Sequence, residues 1–159
     1  MSFPLFHDSG SQIKAVRATD NVALTAGSTG DNTPVVGQII DRSALGMPLS
    51  CALVIAIKAI LGDTNKLTLK SVTIDHGDDS ALGDATVFAT PDNVDVLVDP
   101  ASPGGGSTMR GQQQYNINLG GAKRYLRLTF TPDLNAANTD TAECSAVWVF
   151  GGAPILPAS

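Results

Sequence analysis

At 159 residues the chain has the size of one domain, long enough to bury a sizeable core without disulfide staples. Its 10 Lys and Arg against 15 Asp and Glu give a net charge of −5, the wrong sign for a dedicated nucleic-acid binder, and no run reaches the roughly eighteen apolar residues of a membrane-spanning helix. Glu143 is the lone glutamate, so the other acids are Asp, a residue of turns, and 16 Gly and 9 Pro complete a strand-and-loop composition.

In chain order, Met1 to Val16 lacks the basic and apolar regions of a secretory leader, so none is expected. Residues 1–14 read as an N-terminal arm carrying Phe3, Pro4, Leu5 and Phe6. Short apolar or alternating segments then recur between Gly, Asn, Asp and Pro clusters, a spacing that predicts an all-β sandwich over 15–150, jelly-roll-like, with about 8–9 strands. The strands are expected at 15–24, 34–40, 51–61, 66–75, 85–89, 94–98, 112–119, 123–131 and 144–150. In 51–61, Leu53, Ile55, Ile57 and Leu61 fill one face, while Val54, Ala56 and Ile60 make the other mostly apolar. That outer face needs cover from a loop, a terminus or another subunit. In 66–75 the apolar phase slips from Leu67 and Leu69 to Val72 and Ile74, as a β-bulge near Lys70 or Ser71 would produce. Pro103 to Ser107 reads as a mobile Gly-rich loop. Tyr115, Ile117 and Leu119 alternate with polar neighbours, as do Leu126, Leu128 and Phe130, and Gly120-Gly121 between them predicts a hairpin turn. Residues 151–159, with Ile155 and Leu156, form a C-terminal arm. Each arm is expected to fold over its own sandwich or to dock on a neighbouring subunit.

Constellations that would carry chemistry are few. The cluster Asp75, His76, Asp78, Asp79 and Asp84 lacks the ligand order of an EF-hand and any His-Glu-x-x-His spacing, and it reads as a solvated hairpin loop. No Gly-x-Ser-x-Gly elbow is present, Cys51 and Cys144 have no Cys/His context, and the glycines at 104–106 are not followed by the Lys-Ser/Thr of a phosphate loop. The two cysteines read as reduced, buried apolar residues. The expectation is a non-enzyme without cofactor or metal.

Charge is segregated along the chain. Residues 75–100 hold seven Asp and no Lys or Arg, whereas 101–131 hold Arg110, Lys123, Arg124 and Arg127 and no acid. Meeting within one monomer, these blocks balance; on opposite flanks they favour head-to-tail association into a ring. Tyr125 and Arg127 share an outward strand face, with Lys123 and Arg124 beside them. These four, with Phe3, Phe6, Ile155 and Leu156 of the arms, are the candidate interface residues.

The apolar His-Asp-containing start, the segment Gly120-Gly121-Ala122-Lys123-Arg124-Tyr125-Leu126-Arg127, the Asp-rich loop Asp75–Asp84 and the Gly151-Gly152-Ala153-Pro154 ending together resemble small virion proteins of tailed bacteriophages. The resemblance spans most of the chain. It implies a head decoration, or cement, protein on the outer surface of the capsid, bound to the major capsid protein lattice and commonly a homotrimer, made in the host cytoplasm; from the acidic net charge and the lack of a long apolar run, no nucleic-acid or membrane partner is expected. It transfers no defined set of binding residues. Two other readings stand beside it. One is a carbohydrate-binding or host-adhesion module stacking sugars on Tyr115, Tyr125 or Trp148, although Trp148 shares a strand face with Cys144, Ala146 and Phe150 and so reads as core. The other is a tail or head-completion protein.

Overall fold

The computed structural model describes residues 12–62, 65–98, 107–135 and 140–153. Eleven strands form two antiparallel sheets: β1 (Lys14–Arg17), β2 (Val22–Thr25), β3 (Val35–Val36), β4 (Ile40–Asp41), β5 (Ser50–Leu61), β6 (Lys66–Gly77), β7 (Thr86–Ala89), β8 (Val94–Val98), β9 (Ser107–Asn118), β10 (Tyr125–Leu134) and β11 (Thr141–Gly151). In sheet A, β1 and β2 pair successive halves of β11, which pairs β5, which pairs β9. In sheet B, β3 and β4 pair one side of β10, β6 pairs the other, and β7 and β8 lie end to end along β6.

Counting collinear strands as one position leaves eight positions, and the chain visits them in the order of a jelly roll: first, eighth, third and sixth in sheet A, second, seventh, fourth and fifth in sheet B. The expected sandwich is therefore the observed one. Two of the anticipated strands are each broken in two. Segment 15–24 is interrupted where the N–H groups of Ala18 and Thr19 both donate to Ala146 O, at 2.8 and 3.2 Å. Segment 34–40 breaks at Gly37, whose N–H donates to Leu128 O at 2.8 Å; a Cβ there would stand 2.7 Å from Ala18 O and 2.9 Å from Leu128 O, so only glycine fits between the two sheets.

The Gly120-Gly121 hairpin is corrected. β9 pairs β5 in sheet A and β10 pairs β6 in sheet B, so the two glycines lie in an arch that carries the chain between sheets. The arch is closed by Ala122 N–H donating to Leu119 O at 3.0 Å, and neither glycine has a positive φ. In a jelly roll nearly every connection crosses between layers; here the one within-sheet step between consecutive positions is β6 to β7, the Asp-rich hairpin. The bulge in β6 is where the phase slip puts it: Thr129 pairs Thr73 and Thr131 pairs Lys70, with Ser71 at φ 48° and exposed between buried Leu69 and Val72.

The core is the space between the sheets. β5 contributes Leu53, Ile55, Ile57 and Leu61, β10 contributes Leu126, Leu128 and Phe130, and β11 contributes Cys144, Ala146, Trp148 and Phe150, all buried. Trp148 stacks on Phe150 with centroids 5.7 Å apart, and its indole Nε1 has no hydrogen-bond partner. Burying a Leu, Ile or Phe side chain stabilises by roughly 1.5–3 kcal/mol, so this interlayer is the main source of stability. Pro103–Gly106 and most of both arms, with Phe3, Phe6, Ile155 and Leu156, lie outside the described residues.

Candidate interaction surface

Alternation along a strand that is buried on one side leaves the other side to solvent, and in sheet A that outer side is unusually apolar. The register aligns Ala15 with Val149, Val149 with Ala52 and Val147 with Val54, and places Ser145 beside Ala56. All are half-buried or exposed, Val147 at 37%, and Ile13 continues the strip beyond β1 at 53% exposure. The cover that the outer face of β5 calls for is not supplied by any described residue. On one flank the strip is bounded by an amide row on β9, Gln112, Gln114, Asn116 and Asn118, with Gln114 Nε2 donating to Asn116 Oδ1 at 2.8 Å. Lys58, Arg110 and Glu143 sit side by side toward one end, and Ile60 lies beyond them at 42% exposure. Four strand positions about 4.8 Å apart, each some eleven residues long, make a face on the order of 700 Å². That is comparable to the roughly 800 Å² each partner contributes to a stable protein interface. Residues 12–13 and 151–153 lie together at one corner of the face, since Lys14 pairs Phe150 and Gly151 pairs Ser50.

The basic residues chosen as interface candidates sit elsewhere and are already occupied. Arg124 forms a two-point pair with Asp41, Nε to Oδ1 at 3.0 Å and Nη2 to Oδ2 at 2.7 Å, and its guanidinium lies 4.9 Å from the Tyr125 ring centroid. This arginine holds the Asp41 carboxyl well below the usual carboxylate range. On the outer face of sheet B, Arg127 pairs Asp75 at 3.3 Å across the β6–β10 ladder. Lys123 lies 3.4 Å from Asp84 and 3.8 Å from Asp78. Lys123 and Arg127 of the basic block thus meet Asp75, Asp78 and Asp84 of the acidic block within one monomer, while Arg124 turns to Asp41 and Arg110 lies beside Lys58 in sheet A.

The Asp-rich hairpin spends its carboxylates on its own backbone. Asp84 accepts from the N–H groups of Asp78 and Asp79 at 2.9 and 3.1 Å, which with Lys123 brings its carboxyl down to about 2. Asp79 accepts from Ala81 and Gly83 N–H, and His76 Nδ1 accepts from Lys123 N–H at 3.2 Å. The segment is a hairpin between β6 and β7, and among the described residues no group of three or more His, Cys, Asp or Glu is placed to hold a metal ion. Cys51 and Cys144 are free and buried, and burial pushes both thiols up to about 12, the opposite of an activated nucleophile. Trp148 is fully buried and offers no stacking platform.

One structural residue gave no sequence signal of its own. Arg42 follows the cap Asp41, whose carboxylate accepts from Ser43 N–H, in a short 3-10 turn, Arg42–Leu45, that ends at Gly46 with φ 76°. Its side chain is buried and donates to the carbonyls of Ala122, Lys123, Pro48 and Leu119. The Asp-x-Ser cap followed by glycine marks the turn, but nothing local marks the arginine as interior.

No protein-family model matches the chain, and no curated protein does. Among solved structures, the chain is similar to infectious bursal disease virus Gx strain at 12% identity and a TM-score of 0.46, covering 92% of this chain and 34% of that one. The VP2 subviral particle of the same virus gives 12% identity, a TM-score of 0.43 and coverage of 92% and 34%. The C-terminal family 22 carbohydrate binding module of Clostridium thermocellum Xyn10B gives 13% identity and a TM-score of 0.36, covering 94% of this chain and 92% of that module. The chain spans about a third of the length of the viral proteins it matches. No functional residue is carried across at these scores; the sandwich itself rests on the strand pairing described above.

Proposed function

We propose that the chain is a virion structural protein of a tailed bacteriophage, a head decoration protein that binds the assembled major capsid protein lattice from outside and stabilises it. The observation that carries this reading is the apolar strip of Ala15, Ala52, Val54, Ala56, Val147 and Val149, which no described residue covers, on a sheet face of interface size. The resemblance of Gly120–Arg127, the Asp-rich hairpin and the Gly-Gly-Ala-Pro ending to phage virion proteins supplies the class of partner. The role is mechanical and not enzymatic. A protein that binds the assembled lattice and not the free subunits shifts the equilibrium toward the intact shell by mass action. The homotrimer implied by the resemblance belongs to the same proposal, held through apolar contact and not through the charge blocks.

The test is co-sedimentation of the purified chain with undecorated phage heads. Saturation at a fixed ratio to capsid subunits is expected, together with raised resistance of the heads to heat. Failure of the folded chain to bind heads would remove the proposal.

A further inference from the structure

The two long sides of the sandwich differ. On one, a backbone bond ties the layers together: Gln38 N–H, between β3 and β4 of sheet B, donates to Ala18 O, between β1 and β2 of sheet A, at 2.7 Å. On the other, β9 ends sheet A while β7 and β8 end sheet B, and among the described residues no strand pairs the outer side of β9. The phase of that free edge follows from one bond. Leu119 N–H donates to Leu49 O at 2.8 Å, in register with the Asn118–Ser50 pairing that follows. Bonded and non-bonded pairs alternate along an antiparallel ladder, so Ile117 and Tyr115 turn their N–H and C=O toward β5. Asn118, Asn116 and Gln114 turn theirs away. The partner these outward groups have among the described residues is the Gln113 side-chain amide, 3.3 Å from Gln114 O.

That row borders a groove of about 540 Å³ whose opposite wall is Phe88, Ala89, Thr90 and Pro91, with Tyr115 and Ile117 also lining it and no charged residue among the lining. The Tyr115 hydroxyl, donating to Asp92 O at 3.4 Å, ties the wall segment to β9. Long free edges are ordinarily blunted by lysine, proline or a bulge, and Gln112–Asn118 carries none of these.

We propose that this groove binds an extended, uncharged segment of another protein, which adds to β9 as a further strand of sheet A. The outward N–H groups of Gln114, Asn116 and Asn118 and the outward C=O groups of Asn116 and Asn118, which have no partner among the described residues, demand a polypeptide backbone as their complement. Their span of about 13 Å fits a strand of four or five residues. Phe88–Pro91 line the same groove as the β9 edge, so a single extended segment lying there touches both at once. The apolar lining from Phe88, Tyr115 and Ile117 favours small or apolar side chains at alternate positions of the guest. This site is independent of the capsid reading: it requires only a partner that presents an extended segment.

The experiment uses the full chain, isotope-labelled, with capped six-residue peptides of alternating valine and threonine as the probe and amide hydrogen exchange and chemical shift as readouts. Saturable shifts and slowed exchange at Gln114, Asn116 and Asn118 are expected. N-methylating the peptide on alternate residues in one phase should weaken binding roughly tenfold or more, while the other phase leaves it nearly unchanged. Asn116→Pro, which removes one outward N–H at an edge position that tolerates proline, should weaken it similarly. The proposal is overturned if no peptide protects these amides, or if both N-methylation phases bind equally. It is also overturned if the amides are already protected in the free monomer, which would mean that the chain covers its own edge, or if they become protected only as the chain self-associates.

Discussion

The guanidinium of Arg42 donates to the carbonyl of Leu119, 77 positions away in sequence, at 3.0 Å, and through it the 3-10 turn before β5 is fastened to the arch between β9 and β10. Three further carbonyls, those of Pro48, Ala122 and Lys123, accept from the same side chain, so a buried cation is held entirely by backbone oxygens. Burial lowers its pKa, yet four carbonyl dipoles aimed at it offset much of the cost of removing the charge from water.

Arg42→Met deletes all of these donors and leaves several carbonyls in the interior without partners. A loss of about 3–5 kcal/mol in unfolding free energy is expected, read from urea denaturation. Arg42→Lys should recover only part of it, because an ammonium has no planar fork to spread over carbonyls from two segments. A change within about 0.5 kcal/mol for Arg42→Met would mean that the arch is held by something else.

Acid sensitivity should come from the carboxylates with depressed pKa values. Asp84 is lowered to about 2, first by the Asp78 and Asp79 N–H groups and then by Lys123, and Asp41 is lowered chiefly by Arg124. A carboxyl whose folded value lies below its unfolded value of about 4 adds stability above pH 4, and that contribution disappears as the pH falls through the folded value. The urea midpoint should therefore be flat from pH 7 to about 5 and fall between about pH 4 and 2. Asp84→Asn should make that fall shallower.

The bulge in β6 holds Ser71 at φ 48°, a left-handed conformation that costs an L-residue roughly 1 kcal/mol. Ser71→Gly removes that strain and keeps the backbone bond from Ser71 N–H to Asn93 Oδ1 at 2.8 Å. A gain of up to about 1 kcal/mol is expected in thermal or urea unfolding, reduced by the added freedom of the unfolded chain. Ser71→Val should destabilise, since a β-branched side chain tolerates this φ least.

Period-two alternation made the buried faces of β5, β6, β10 and β11 readable, because inward and outward positions differ in hydropathy at every step. The break in that period located the bulge near Lys70 or Ser71, and the pairing puts it at Ser71. What alternation does not carry is which strand lies beside which. β9 and β10 both alternate and flank Gly120-Gly121, so they look like a hairpin, and only the long-range pairings Leu53 with Tyr115 and Leu126 with His76 place them in different layers. The charged blocks were legible as blocks, but their meeting at Lys123–Asp84 and Arg127–Asp75 follows from topology. The apolar outer side of β5 was legible in the sequence, while Val147, Val149 and Ala15 join it only through cross-strand register.

Cys51 and Cys144 face the interlayer from β5 and β11, and their thiols are held up to about 12 by burial. Ellman's reagent at pH 8 should find neither thiol in the native chain and both after unfolding, with no difference between reducing and non-reducing preparations. Rapid labelling of either thiol in the native state would contradict the packing around Trp148 and Phe150.

Sheet A is the side proposed to grip another surface, and a side-chain-resolution electron-microscopy map of the intact particle tests this directly. The expected map places this chain outside the shell with Val54, Ala56, Val147 and Val149 against capsid protein or a neighbouring copy, and with Arg124 and Arg127 keeping their Asp41 and Asp75 partners. A map in which that strip faces solvent while the outer side of sheet B makes the contacts, or in which the chain is absent from the particle, would contradict it.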